Sequence, residues 1–199
     1  MFNKSWSVTL AATLGLVLLS GCKLGRVSQG RVVEYDKSRG VMTIVLEADN
    51  PRPGEPRYAL PVREVRIPGI ASEMGPAPDP GKLLLLNAKK REIVFYHEQT
   101  LRSLRYSPIA ESKGVTSDDD RVAKRQLPAI DRQNKTLTLY SPSERMLVTL
   151  ALTDADVALP DETWKAGDEV RYYYKQPGQA IRLMNVTKTD LAKSGGGGH

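Results

Sequence analysis

The sequence is poor in the side chains that most often carry chemistry: among 199 residues there are one cysteine and two histidines. A single cysteine, Cys22, excludes an internal disulfide and any zinc site built on several thiolates. Nucleophilic catalysis by serine or cysteine needs a base, usually histidine. His199 ends a glycine tract, and His97 closes the run IVFYH, where alternation places it at an exposed strand end. The nucleophile elbow, the P-loop, the dinucleotide-binding glycine pattern and the H-E-x-x-H zinc motif are all missing. Met42 and Met146 fall early in two β-type runs with no histidine close in sequence, so core packing accounts for them better than copper ligation. No stretch carries a sustained helical stripe; Asp154 to Trp164 holds at most a helical turn.

Long apolar segments are also lacking. The longest, Val8 to Leu19, is about twelve residues, whereas a membrane-spanning helix needs about twenty. It follows a short n-region with one positive charge at Lys4 and ends in small residues, which is the layout of a cleaved secretory signal peptide over residues 1–21. Leu19-Ser20-Gly21-Cys22 resembles the lipobox of bacterial lipoproteins. The resemblance implies cleavage before Cys22, lipid on its sulfur, and a short tether over residues 22–27. Lys23, in the position where aspartate retains many Gram-negative lipoproteins at the inner membrane, implies the outer membrane with the body facing the periplasm.

What the rest of the chain does have is globular composition, 40% hydrophobic and 26% charged, with a net charge of +6. In the envelope that charge favours acidic surfaces or anionic headgroups over nucleic acid. From Ser28 onward short runs alternate every two residues and are separated by Pro, Gly, Asp and Asn clusters, which predicts an all-β fold. The expected strands are 30–35, 41–48, 58–67, 83–86, 93–97 and 104–110, then 125–130, 136–140, 146–153, 169–175 and 180–186.

The two halves match each other. VVEYDKSRGVMTIVLEA and LPAIDRQNKTLTLYSPS each close a strand on an aspartate, Asp36 or Asp131, before alternation resumes. Aspartate suits that position because its carboxylate bonds backbone N–H groups just ahead. Each half then offers a third strand, a long connection, and a glycine turn, Pro80-Gly81-Lys82 or Ala166-Gly167-Asp168, that launches a last hairpin. This order predicts two tandem five-stranded barrels or meanders of the OB type, over residues 28–110 and 122–191. A solvated linker at 111–121 carries the acidic run Asp118-Asp119-Asp120, and a flexible tail covers 192–199. The spacing around Gly167-Asp168-Glu169-Val170 is similar to that of small secreted OB-like domains. LPDETWKAGDEVRYYYK and RLMNVTK resemble envelope lipoproteins known only by an uncharacterised-domain label. Trp164, just before the glycine turn, is expected to plug a barrel end.

The surface candidate is the strand Arg171-Tyr172-Tyr173-Tyr174-Lys175. With Val170, Tyr172 and Tyr174 inward, Arg171, Tyr173 and Lys175 line the outer face, joined by Arg182 from the next strand. An aromatic ring between cations suits stacking on sugars, on aromatic groups or on a protein partner. The expectation is therefore a non-enzymatic lipoprotein, with neither cofactor nor metal, that binds or scaffolds an envelope protein. A small-ligand receptor for carbohydrate or a metal ion is the alternative, and a carboxylate-pair hydrolase, needing two facing carboxyls, a third.

Overall fold

Four hairpins among the described residues turn on one local geometry, and the sequence match of Asp36 with Asp131 is two instances of it. In each, a short polar side chain accepts the backbone N–H three residues on: Arg39 to Asp36 at 3.1 Å, Lys90 to Asn87 at 3.0 Å, Asn134 to Asp131 at 2.9 Å and Glu144 to Ser141 at 3.3 Å. The fifth residue is left-handed, with φ of 61° at Gly40, 51° at Arg91, 51° at Lys135 and 48° at Arg145. The first and sixth residues then face each other as strand partners. A side-chain oxygen thus satisfies a loop N–H that the sheet ladder leaves free.

The computed structural model describes residues 24–48, 57–142 and 144–189. The expected signal peptide, the lipobox with Cys22, Lys23, the NPRPGEP connection and the glycine tail lie outside them. The strands are β1 (Arg26–Asp36), β2 (Val41–Glu47), β3 (Tyr58–Arg66), β4 (Leu83–Asn87), β5 (Glu92–His97), β6 (Thr100–Arg105), β7 (Pro108–Lys113), β8 (Ala129–Asp131), β9 (Thr136–Ser141), β10 (Met146–Ala151), β11 (Glu169–Tyr174) and β12 (Arg182–Asn185). Among the described residues there are two short α-helices, α1 (Asp120–Ala123) and α2 (Asp154–Val157), and two 3-10 turns, Ala71–Glu73 and Asp161–Thr163. The all-β class is as the alternation predicts.

Three antiparallel sheets form, in the orders β12-β11-β1-β2-β3, β4-β5-β6 and β7-β10-β9-β8. The first curls until its ends meet: Arg66 N–H donates to Gly178 O and Ala180 N–H to Arg66 O, both at 2.9 Å. Val32, Met42, Ile44, Val65, Val170 and Leu183 fill its interior. The other two sheets share one core, in which Leu83, Leu86, Ile93 and Phe95 meet Leu137, Leu139, Met146, Val148 and Leu150. Successive residues of β1 face opposite ways, as a strand requires. Val32 enters the curled sheet's interior, while Val33 packs with Val45, Tyr58, Leu84 and Tyr96 in a third cluster that joins the two units. Tyr58 also donates its hydroxyl to Leu84 O at 2.9 Å.

The tandem arrangement does not survive this topology. The last hairpin of the second half, β11–β12, completes the sheet begun by β1 to β3, and β4–β5 packs into the core of β8 to β10. The halves have exchanged hairpins, so 28–110 and 122–191 are not separate units. The exchange follows from where the two glycine turns lie: Leu83 N–H donates to Lys165 O at 2.9 Å and Asp168 N–H to Asp79 O at 2.9 Å, so the turns run side by side. Both also bond β1, Gly81 N–H to Val32 O at 3.1 Å and Val32 N–H to Asp168 O at 3.0 Å. A Cβ on Gly167 would stand 2.1 Å from Val32 O, so only glycine permits the crossing.

Three smaller expectations are corrected as well. The strand expected at 104–110 is broken at Tyr106, whose ring is buried as the chain passes from β6 to β7. The linker at 111–121 is partly strand, since Glu111, Ser112 and Lys113 pair with β10, and Asp119 caps α1 by accepting Arg121 N–H at 2.9 Å. Trp164 is no end plug; it is fully buried in the shared core, its ring 5.4 Å from Phe95.

Candidate binding groove

β11 is the strand whose faces the alternation separates, and its burial follows that split. Val170 and Tyr172 are buried and Tyr174 half-buried toward the curled sheet's core, while Arg171 and Lys175 are exposed and Tyr173 is half-buried. Pairing sets Tyr173 opposite Val27 on β1 and opposite Arg182 on β12. These residues border a groove of about 630 Å³ lined by Val27, Ile70, Glu73, Arg171, Tyr172, Tyr173, Ile181, Arg182 and Met184. Three of the expected four residues, Arg171, Tyr173 and Arg182, come together there. Lys175 lies one step past the Arg26–Tyr174 pair, beyond the lining.

The floor is apolar and open to solvent. Val27 is 60% exposed, Ile70 65% and Ile181 41%, so three large aliphatic side chains sit in one concavity without cover. Water contact at such a patch is unfavourable in proportion to its area. Tyr173 lies across Gly25, where a Cβ would meet the ring at 2.0 Å, so the glycine next to the first strand gives the ring its seat.

The rim carries charge. Arg182 makes a two-pronged ion pair with Glu73, Nε to Oε2 at 2.5 Å and Nη2 to Oε1 at 3.2 Å. That guanidinium holds the Glu73 carboxyl below its ordinary range, and the carboxylate raises Arg182 in turn. Arg171 instead donates to the neutral Gln29 amide oxygen, at 2.9 and 2.7 Å. Gln29 Nε2 passes the contact on to Glu169 at 2.5 Å. One rim cation is therefore matched by a carboxylate and the other is held by an amide.

Sequence reasoning missed Val27, Ile70, Glu73, Ile181 and Met184. Ile70 stands in the connection GIASEMGPAPDPG, which runs beside β12 with Gly75 N–H donating to Leu183 O at 2.8 Å. The signal available was an isolated large aliphatic in a loop of small and polar residues; alternation along single strands does not reveal it.

Other charged groups serve local structure. His97 lies 3.6 Å from Glu98, and Arg102 pairs with the same carboxylate at 3.4 Å. A second, more polar hollow includes Asp131, Arg132, Asp161 and Glu162, but Asp131 is engaged by its own turn and Asp161 by Arg132. Near the crossing, Asp168 accepts from Asn185 Nδ2 at 2.8 Å and Asp79 N–H at 2.9 Å, and Lys188 reaches both carboxylates, at 2.7 Å to Asp79 and 3.2 Å to Asp168.

Comparison with curated proteins and with solved structures yields no match. The model of one family, a domain of unknown function designated DUF4881, matches residues 23–194, which contain every residue of the groove, and the chain belongs to that family.

Proposed function

We propose that this protein is a non-enzymatic lipoprotein of the bacterial envelope, anchored through lipid on Cys22 to the periplasmic side of the outer membrane, where it holds its β-sheet body for an envelope protein partner. The observation that carries the reading is the place of β1. It begins at Arg26, four residues beyond Cys22, and is paired on both sides, with β11 and with β2. Its successive residues Val32 and Val33 enter two different cores. A tether fixed to this strand transmits load into the whole body, whereas a tether on an edge hairpin would peel it. Four residues reach at most about 14 Å, so the body stays at the membrane surface.

The scaffold reading is tested by photo-crosslinking in intact cells from Tyr173 in the groove and from Ile109, an exposed aliphatic on β7. A discrete adduct with one envelope protein from at least one position, lost when residues 1–22 are replaced by a secretory signal peptide that is cleaved without lipid attachment and so frees the body from the membrane, is the expected result. Smears or no protein adduct from both positions would contradict a protein partner.

A further inference from the structure

We infer that the groove face is a second membrane contact: Val27, Ile70 and Ile181 settle into the headgroup boundary of an anionic leaflet, with Arg171 and Lys175 against its phosphates. This rests on the proposed anchor at Cys22 and says which side of the body the bilayer occupies.

Reach is the first argument. Val27 is five residues from Cys22, so the groove lies no more than about 18 Å from the lipid-bearing sulfur. The groove is therefore held close to the one apolar phase available to it. Composition is the second. The exposed large hydrophobics of the described residues are Leu24, Val27, Leu60, Ile70, Ile109 and Ile181. Three line this groove, and Leu24 lies on the tether side of Gly25, on which Tyr173 rests.

Charge is the third. The Glu73–Arg182 pair is internally neutral, while Arg171 hydrogen-bonds an amide and Lys175 is exposed beside the start of β1. The face is thus apolar at its centre and positive at its edge, in a chain of net charge +6. Aliphatic side chains flanked by cations, with a tyrosine between, are what an interfacial contact with anionic lipid requires. Docking here also fixes the orientation of the body and leaves the inserted sheets β4 to β10 for a protein.

The test uses the full lipidated chain in vesicles containing about one-third anionic lipid. Because Cys22 is blocked as a thioether in that form, a single introduced cysteine, Ile70→Cys, Ile181→Cys or Ile109→Cys, takes an environment-sensitive fluorophore alone. Quenching by acyl-chain quenchers at positions 70 and 181 but not at 109 is expected. Equal quenching at all three positions, none at 70 and 181, or shielding of the groove probes by a co-purified protein instead of lipid would overturn the inference.

A second arm separates this inference from the anchor. The mature chain, residues 22–199, carrying Cys22→Ser and added to the same vesicles, is expected to partition weakly, and Ile70→Glu with Ile181→Glu to reduce that partition by more than about tenfold. Arg171→Glu or Lys175→Glu should each reduce it by roughly fivefold or more, and replacing the anionic lipid with a zwitterionic one should do the same. If fatty acid is absent from Cys22 yet this dependence on Ile70 and Ile181 holds, the anchor reading fails and the membrane face stands. Partition indifferent to all four substitutions overturns it.

Discussion

The fold is legible at single residues where a backbone N–H needs a partner. Asp36 and Asp131 mark equivalent turns because each accepts the N–H three residues on, and the left-handed residue directly after that donor completes the reversal. Gly40 occupies that place without strain, and Lys135 occupies it at φ 51°. An added Cβ at Gly40 meets nothing nearer than Ile67 at 3.4 Å, so the conformation alone decides the effect. Gly40→Ala should cost about 1 kcal/mol, and Lys135→Gly should be neutral or stabilising by a few tenths, as read from urea unfolding of each variant. A loss from both substitutions would mean the turns are not equivalent.

Charge at the same scale sets an acid limb. Lys188 beside Asp79 holds that carboxyl below its ordinary 3.8, as Arg121 does for Asp119 and the Asn134 N–H for Asp131. A carboxylate whose folded pKa is depressed contributes stability in full above its unfolded value and loses it as pH falls through the folded one. Melting temperature should therefore be level down to about pH 5 and fall below about pH 4. Asp79→Asn should flatten part of that fall, and an unchanged acid limb would show that the Lys188 contact contributes nothing.

At the scale of elements, strand positions were readable and strand partners were not. Alternation places β2, β9 and β10 within a residue or two of their observed bounds, because one face of each is buried, whereas β1 begins at Arg26, four residues before the expected start at Gly30, since its first two residues are exposed. Partner choice depends on the two glycine turns, which look alike in sequence and lie against each other in space, and nothing local distinguishes which hairpin follows which sheet. The break at Tyr106 was hidden for a related reason, since a buried aromatic reads equally well inside a strand or at a corner. The crossing gives a sharp contrast between two glycines. Gly167→Ala would place a methyl group 2.1 Å from Val32 O and should cost more than about 3 kcal/mol or prevent folding, whereas Gly69→Ala, with nothing within 4 Å, should change stability by less than about 0.5 kcal/mol. Similar thermal unfolding of the two variants would contradict the crossing.

The same exchange governs the whole molecule. Residues 28–110 expressed alone lack β11 and β12, which supply Val170, Tyr172 and Leu183 to the first core. That fragment should show no cooperative melting transition, and the complementary fragment 122–191 should show none either; a cooperative transition in either would restore tandem domains. The groove was partly legible: alternation brought Arg171 and Tyr173 to one face, while its aliphatic floor is assembled from three chain segments far apart in sequence. The anchor is read from Leu19-Ser20-Gly21-Cys22 alone, and the account of the body as a membrane-held scaffold depends on it. The most direct measurement is the mass of the N-terminal peptide of the mature protein purified from bacterial membranes, alongside labelled fatty-acid incorporation in the wild type and Cys22→Ser. The account predicts a chain beginning at lipid-modified Cys22, and label in the wild type only. An unmodified Cys22, or equal label in both proteins, would contradict it.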